Sequence, residues 1–566
     1  MKAVSGAYKN SMASPLRNQS FVEISLLEVD TEAAKAVTFS DTSHLYYTNY
    51  ATLSYEYQYS EEYATLEANF WTLDGKKVIL PDSQPLKRVP QGYISGVFTT
   101  NAGEFSKKPI VTATFSTPRA FSGLTFVFDT RSNEWPRHVT VDLTFAGENT
   151  ESIDYYPTSP YLVISRKLEN VVSVAITFVE MIPNRRARLE HLYFGIRKTF
   201  TNQDIVSVKQ AHDVDPLSRR LPQETINFTL LDYDREYDPD NPEGIYAYLD
   251  QHTPVTVQYG YQLPSGNIEW LKADKYILNG KPKAMNNKAS FTGMGLIGSL
   301  SSTFYKGKLG NMSFYNMAEE VLKDADLPLV NRADNPWEID PSLKKMYTTA
   351  VLPIDTHMNC LQLIAHACCC RLYTDDDNII HIVPFDLSAL PPSDFKLNFT
   401  SISEDSLSVS KIDTLKAVSV CKYAYTAASD ITTLFEETTT ETQLHIEFSN
   451  PASDISVSIT GGTLISSNIY ARAVDLHLSS GTKTISITGK SLSESSVVMT
   501  YPVNDSGEID KEENPLITNT ERCQALAIHI TKYLQLRNTY STNYRGNPEL
   551  EVGDIISLQT LYAENK

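Results

Sequence analysis

Apolar and polar residues alternate along much of this chain, a pattern typical of half-buried β-strands. The alternation is clear in two runs, 226–230 and 255–259. An acidic loop with several Pro and Gly residues separates these runs, and its composition predicts turns. Together they predict a unit of two strands joined by a structured loop.

A β-rich region is predicted from 46 to 197. Its strand signals follow one another at intervals of about 8 to 15 residues, a spacing typical of a β-sandwich. They lie at 110–115, 124–129, 139–145, 161–164, 172–179 and 189–194. One more strand is predicted at 21–29. Residues 1–20 are polar and basic and predict an arm or a short helix, with ordering by a partner as one alternative.

Three segments have the apolar spacing i, i+3, i+4 of amphipathic helices. They are 314–325, 358–368 and 520–537. Pro328 lies just past the first, and Asp355 is the expected N-cap of the second. The second helix runs into a hairpin pattern whose solvated turn holds Asp375, Asp376 and Asp377.

A second β-rich region covers 396–425 and 441–502, and its latter part is rich in Ser and Thr. That part predicts a separate small β-sandwich, with a linker at 432–442 before it. The fold class predicted for the whole chain is therefore mainly β with a few helices, an α+β multidomain protein.

Length and charge narrow the class further. At 566 residues the chain is too long for one core, so about three or four domains are expected. A net charge of −19 argues against nucleic-acid binding over the whole surface. There is no apolar run of about 18 residues that would predict a transmembrane span, and the N-terminus has no signal-peptide core. The six cysteines form no C-x-x-C pair and are expected to be reduced thiols.

The strand–loop–strand unit resembles the first barrel domain of tail hub proteins from long-tailed phages of Gram-positive bacteria. The residues that carry this resemblance are Asp234, Tyr237, Asp238, Pro239, Asn241, Pro242, Gly244, Pro254, Val255, Val257, Tyr259 and Gly260. The opening AYKNSMASPLRNQSFVEISL is also similar to that family. Near the other end, a match to the pattern of the second barrel is formed by Gly546, Pro548, Leu550, Gly553 and Asp554.

The region 46–197 resembles a galactose-binding-like (discoidin-like) jelly roll. The matching residues are Asn69, Phe70, the run 73–81, and the run 183–195, which resembles the closing strand of that family. The two resemblances together cover most of the chain.

The resemblances imply two hub β-barrels joined by helices, with a jelly roll and a smaller β-sandwich inserted. The implied domains are an arm with the first hub strand at 1–45, the jelly roll at 46–197, barrel 1 at 198–310, a helical connector with a hairpin at 311–395, the start of barrel 2 at 396–430, the small sandwich at 431–510, and a helix with the end of barrel 2 at 511–566.

The implied function is that of a homotrimeric tail-tip or baseplate hub in a virion tail, made in the host cytoplasm. The implied partners are a second and third copy of the chain, the tail tube, distal tail proteins, and fibre or receptor-binding proteins. Longer members of the family carry cell-wall hydrolase regions, and no such region is visible here. An enzymatic role is therefore not expected.

The acidic loop invites comparison with a calcium site, but the spacing fails. An EF-hand needs Gly at its sixth position, and that position is Tyr237 counted from Asp232 and Glu243 counted from Asp238. The loop is instead predicted to shape an edge that meets a neighbouring subunit. Its assembly residues are Asp234, Asp238, Pro239, Asn241, Pro242 and Gly244.

The jelly roll is the most plausible ligand site, because sugars stack on aromatic faces. The candidate glycan-binding residues are Trp71, Tyr93, Trp135, Arg137, Tyr155 and Tyr156. The alternative is that these aromatics are core or subunit-contact residues. If these residues bind glycans, the alternative function is that of a carbohydrate-binding host-adhesion protein that acts through the jelly roll.

No catalytic, cofactor-binding or metal-binding residue is assigned. The sequence lacks the G-x-S-x-G, H-E-x-x-H, Walker and Rossmann patterns. His366 and Cys370 have a spacing that can hold zinc on a helix, but two ligands are too few without partners elsewhere. A third possibility, an enzyme acting on cell walls, rests on no motif.

Overall fold

The computed structural model describes all residues except 46–47, 51–52, 55–61, 66, 68–76, 79–91, 131, 148, 242–243, 247–248, 250–252, 326, 328–336, 377, 388–394, 399–400, 404–405, 560–563 and 566. Strands account for 49% and helices for 13%, which confirms the mainly β class.

The chain opens with two short helices on either side of a strand. These are α1 (Gly6–Ala13), β1 (Ser20–Val29) and α2 (Thr31–Ala36). Each helix has a side-chain N-cap, since the Ser5 hydroxyl accepts the Tyr8 N–H and the Asp30 carboxylate accepts the Ala33 N–H.

A β-sandwich follows whose strands pair antiparallel, except that Glu62–Tyr63 and Lys77–Val78 form a separate short parallel pair. Its strands are β2 (Thr38–Asp41), β3 (Glu62–Tyr63), β4 (Lys77–Val78), β5 (Tyr93–Phe98), β6 (Ile110–Phe121), β7 (Leu124–Val127), β8 (His138–Phe145), β9 (Thr150–Tyr155), β10 (Tyr161–Ile164), β11 (Leu168–Glu180), β12 (Arg186–Leu189) and β13 (His191–Tyr193). One sheet has the order β2-β6-β11-β8-β9, the other β10-β7-β13, and β5 pairs with β12. Side chains of both sheets form one core.

The alternation seen in the sequence determines which face of each strand is buried. In β8 the side chains of Val139, Val141 and Leu143 are buried and the residues between them are not. The central strand predicted at 172–179 lies within β11, which pairs with both β6 and β8.

Eight further strands complete a sheet around β1. They are β14 (Gly195–Phe200), β15 (Ile205–Asp213), β16 (Gln223–Leu231), β17 (Pro254–Gln262), β18 (Ile268–Trp270), β19 (Asp274–Leu278), β20 (Lys283–Met285) and β21 (Lys288–Met294). The order is β14-β1-β17-β19-β21-β16-β15. The two edge strands are consecutive in the chain and joined by residues 201–204 only, so the sheet curls back around its core.

The sandwich is thus inserted between two paired strands, β1 and β14. The sequence analysis placed its limits at 46 and 197. In the structure β2 pairs with the sandwich and β14 pairs with the curled sheet. The change from one sheet to the other therefore falls at α2 and again just before Gly195.

A helical connector comes next. It consists of α3 (Leu296–Ser299), β22 (Thr303–Phe304), β23 (Met312–Ser313), α4 (Phe314–Asp324), β24 (Trp337–Ile339), a 3-10 helix (Pro341–Lys345), β25 (Tyr347–Thr348), β26 (Asp355–Thr356), α5 (His357–Ala367), β27 (Cys370–Thr374) and β28 (Ile380–Pro384). The first two predicted helices are confirmed as α4 and α5. The N-cap of α5 is Thr356 rather than Asp355, because the Thr356 hydroxyl is the one that accepts the Asn359 N–H, at 3.3 Å.

The remainder is again mainly β. It contains β29 (Lys396–Leu397), β30 (Ser408–Lys411), β31 (Leu415–Ala427), β32 (Thr432–Thr439), β33 (Gln443–Glu447), β34 (Ala452–Thr460), β35 (Leu464–Ile469), β36 (Ala473–Leu478), β37 (Lys483–Pro502), β38 (Glu508–Glu512), α6 (Thr520–Leu534), β39 (Asn538–Ser541), β40 (Ser557–Gln559) and β41 (Glu564–Asn565). The predicted third helix is confirmed as α6.

β37 belongs to two units. Its first half pairs with β32 and β34 of a small sandwich that has its own apolar core, and its second half pairs with β31. The predicted linker at 432–442 is wrong, since most of it is β32, as expected for a run of β-branched threonines. Within the described residues, the strands expected in a second barrel lie in three separate sheets, so that barrel stays a prediction.

Candidate functional site

The predicted assembly loop follows β16 and is ordered by its own side chains. The buried Asp232 carboxylate accepts the Glu236 N–H at 2.8 Å, and the Asn241 amide donates to the Arg235 carbonyl at 2.9 Å. A Cβ on Gly244 would meet the Glu236 carbonyl oxygen at 2.5 Å, so the close approach there requires glycine. The acidic side chains therefore form turns.

The loop is fixed to the curled sheet but presents an outer rim. Tyr237 is buried and packs edge-on against Phe291, with ring centroids 5.0 Å apart. Asp234 and Pro239 are exposed, and Asp238 is half-buried. Pro242 lies outside the described residues. The rim is a surface that a neighbouring subunit could contact.

The six candidate glycan residues do not form one site. Tyr93 has no exposed surface, stacks on Phe178 and donates its hydroxyl to the Ser43 carbonyl at 2.6 Å, so it offers no face to a sugar. Trp135 and Tyr155 are half-buried against the core of the inserted sandwich. Trp71 lies outside the described residues, as do Asn69 and Phe70.

Two of the six candidates are exposed at the surface of the sandwich. Tyr156 is 68% exposed, and its ring stacks on His138 at a centroid distance of 4.7 Å. Arg137, the residue before His138, is exposed. The exposed Tyr156 ring, stacked on His138, is the part of the predicted glycan site that remains.

A buried ion cluster in the same sandwich was missed by the sequence analysis. The Glu67 carboxylate accepts hydrogen bonds from the Arg188 guanidinium at 2.9 Å and from the Arg186 N–H at 2.6 Å. Asp129 lies 3.5 Å from Arg188 Nε. Burial raises the pKa of Glu67, but the bonds from Arg188 outweigh it and hold that pKa below its ordinary value. We call Glu67, Asp129, Arg186 and Arg188 the ion cluster.

The two ends of the chain meet through residues 1–17, which we call the N-terminal arm. Tyr8 has no exposed surface. Its hydroxyl donates to Asn547 Oδ1 at 3.0 Å, and its ring lies edge-on to Tyr261 of β17, 5.8 Å between centroids. The arm thus joins the curled sheet to residues 545–554, which we call the C-terminal segment.

Charge and backbone contacts reinforce this junction. The ammonium group of Met1 lies 2.7 Å from both Glu551 and Asp554. Arg17 donates to the Arg545 carbonyl at 2.9 Å, and Arg545 donates in return to the Pro15 carbonyl at 2.9 Å. The arm is therefore ordered by its own chain. A signal was available in the sequence, because the arm is basic and the C-terminal segment is acidic.

The ammonium group of Lys2, in the N-terminal arm, lies close to more than one carboxyl group. It forms a salt bridge with Asp274 and lies 3.7 Å from Asp376. Burial, with the charges of Glu551 and Asp274, raises the pKa of Asp376 to about 7 even though Lys2 opposes this. Burial also raises the pKa of Glu224 to about 7. Across the described residues, no three His, Cys, Asp or Glu side chains are placed to hold a metal ion.

The other sequence candidates have structural partners. Both ring nitrogens of His366 are engaged, with Glu512 at 2.9 Å and with Asn514 at 3.0 Å. Burial raises the pKa of the candidate Cys370 well above its ordinary value, and it raises the pKa of Cys360 to about 12 and that of Cys369 to about 11. These thiols are protonated at neutral pH and are poor nucleophiles.

No family model and no curated protein matches the chain. Among solved structures, the tail protein from Neisseria meningitidis MC58 is 15% identical with a TM-score of 0.24, covering 38% of this chain and 64% of its own. The arabinofuranosyltransferase AftD from Mycobacteria is 8% identical with a TM-score of 0.15, covering 81% and 41%. This chain thus spans less than two thirds of either protein. Similarity at this level does not define a fold.

Among the described helices, none is long and apolar enough to cross a bilayer.

Proposed function

We propose that this chain is a structural component of a phage or phage-like tail tip or baseplate, where it forms a homotrimeric hub that caps the tail tube. One observation carries the proposal. The three stretches that resemble hub proteins lie near the start, the middle and the end of the sequence, and they meet in the fold at Tyr8. A shared structural unit built from all three explains why the resemblance occurs at both ends.

The proposed hub works by assembly rather than turnover. The curled sheet and a second barrel would alternate around the trimer, so that three chains present six similar units to a six-fold tube. The hub would link the tube and distal tail proteins to fibre or receptor-binding proteins in the virion tail. Interfaces of this permanent kind are large and partly apolar.

The mass in solution tests the proposal, and Asn241→Ala tests the assembly loop. The wild-type chain is expected at three times its own mass and in the tail tip by electron microscopy. Asn241→Ala removes the bond to the Arg235 carbonyl, loosens the rim, and is expected to weaken trimer formation about tenfold. Light scattering after size-exclusion chromatography, over a concentration series, measures the mass of the wild-type chain and the strength of trimer formation in the variant.

A matched control is Asn267→Ala, in the exposed turn between β17 and β18. It is expected to leave the trimer unchanged. A wild-type chain that stays monomeric and never enters a three- or six-fold assembly contradicts the hub. A variant trimer as stable as the wild type contradicts the role of the loop.

A second candidate function is glycan binding by the inserted sandwich, supported by the exposed Tyr156 ring that stacks on His138. Tyr156→Ala is expected to weaken binding on a glycan array about three- to tenfold, because sugar stacking needs that face. Tyr233→Ala removes an equally exposed tyrosine from the assembly loop and should have no effect. Equal binding by both variants, or no binding by the wild type, excludes this function.

A further inference from the structure

A groove lies between α6 and the residues that follow β28. Its volume is about 340 Å³, near the lower end of the range for small-molecule sites. Its walls are mostly apolar, with Phe385 and Leu387 on one side and Ala525 and Ile528 of α6 on the other. Ile528 is 50% exposed. The groove therefore offers apolar surface that the described residues leave uncovered.

Helix α6 has two stripes of side chains, and one of them lines the groove. One stripe packs into the core and consists of Cys523, Leu526, Ala527 and Ile530. The other follows the same helical spacing on a neighbouring side and lines the groove with Arg522, Ala525, His529, Lys532 and Tyr533. The groove stripe carries cationic and polar groups beside Ala525, so the groove has both charged and apolar surface.

Arg522 is the most informative of these side chains. It is the third residue of α6, at the positive end of the helix, where a cation is unfavourable. Among the described residues it forms no salt bridge, and its guanidinium donates to the sulfur of Met346 at 3.2 Å. Because no ion pair within the described part of the chain involves Arg522, its guanidinium at the unfavourable end of the helix is left facing the groove without an evident contribution to stability.

The other end of the groove is polar. About 15 Å separate Arg522 from Lys532 along the helix axis, at ~1.5 Å per residue. His529 lies near Lys532, and its Nε2 atom is buried without a hydrogen-bond partner in the described residues. Burial lowers the pKa of His529, so this ring is neutral at pH 7. Asp386 also lines the groove, so the described side chains of Arg522, Lys532 and Asp386 together carry a charge of about +1. The net charge of about +1 favours a single acid group.

We propose that this groove binds a small organic carboxylate, with its acid group on Arg522 and its apolar stem along the wall formed by Phe385 and Ile528. Charge-assisted bonds from a guanidinium to a carboxylate fix the orientation of such a ligand. Burial of the apolar stem against this wall supplies part of the binding free energy. The site is separate from the assembly loop and the N-terminal arm, and it does not depend on the hub proposal.

The test uses 4-phenylbutyrate as the probe, with the full chain and isothermal titration calorimetry. A ligand of this size is expected to bind with a Kd of about 1 mM. 4-Phenylbutanol, which has the same stem and no charge, should bind at least about tenfold more weakly, and so should 4-phenylbutyrate to Arg522→Gln. The variant keeps the helix, because removing a cation from the helix N-terminus does not destabilise it.

Lys411→Gln is the matched control, since it removes an exposed cation from β30. It should bind 4-phenylbutyrate as the wild type does. No wild-type binding up to ~20 mM, or equal binding by wild type and Arg522→Gln, overturns the proposal. Equal binding of the acid and the alcohol does so as well, because it means that only the apolar wall is used.

Discussion

Arg188→Met is expected to lower the free energy of unfolding of the inserted sandwich by about 3–5 kcal/mol. The substitution keeps much of the side-chain volume but removes the charge that faces Glu67 and Asp129. Both carboxylates would then stay buried without their cation. Breaking one side of a buried pair costs more than the pair contributes, because the remaining charge is not solvated.

The pH response separates this mechanism from loss of packing. In the wild type the pKa of Glu67 is held below 4.5, so its contribution to stability is present above pH 4.5 and is lost as pH falls through the folded value. In Arg188→Met the buried Glu67 carboxyl would have a raised pKa. The variant should therefore regain part of its lost stability between pH 7 and pH 5, whereas a simple cavity would not respond to pH.

Hydrogen exchange of β5 and β12 is the suitable measurement, because a multidomain chain does not unfold in one step. Arg166→Met is the matched control, since Arg166 forms an exposed pair with Glu151 in the same sandwich. Exposed ion pairs contribute little, so this variant should exchange like the wild type. Equal protection of β5 in Arg188→Met and Arg166→Met would contradict the role given to the ion cluster.

Local patterns in the sequence predicted most of the elements. The alternation in β8 and the helical spacing in α4 depend only on which neighbours are apolar, and the structure confirms both. Errors arose where two nearby residues compete for one role. Asp355 and Thr356 are both good N-caps, and only the geometry decides that Thr356 caps α5.

The contacts that define the candidate sites could not be predicted in this way. Arg188 meets Glu67 across 121 residues, and Tyr8 meets Asn547 across 539. Nothing in the local sequence of Tyr93 separates a core tyrosine from a sugar-binding one, because both are aromatic residues at the start of a strand. Burial depends on the topology of the sheets, and topology is set by pairings between distant strands.

The position of the N-terminal arm has a consequence for assembly. The arm holds the acidic C-terminal segment against the curled sheet, so it joins the first and last parts of the proposed hub unit. If a neighbouring copy contacts that unit, the arm must be in place beforehand. Loss of the arm is therefore expected to affect both local order and trimer formation.

Tyr8→Ala is expected to release the arm. Truncation of a fully buried aromatic ring costs about 3–5 kcal/mol, and the hydroxyl bond to Asn547 is lost with it. Hydrogen exchange should show loss of protection in the arm and in the C-terminal segment, with β8 unchanged. Leu16→Ala is the matched control, because Leu16 belongs to the same arm but is 89% exposed, and it should have no effect.

The same junction should weaken as pH rises. The folded pKa of Asp376, which lies near Lys2 and Glu551, is raised to about 7, so the folded state holds a proton that the unfolded state releases from about pH 4 upwards. Stability at the junction should fall between pH 5 and pH 7.5, and Asp376→Asn should reduce that fall. Hydrogen-exchange rates of the junction, corrected for the intrinsic effect of pH on exchange, measure this change in stability. Junction stability that rises between pH 5 and pH 7.5 would mean that the arm does not hold the two ends together. Protection of the C-terminal segment that survives Tyr8→Ala would mean the same.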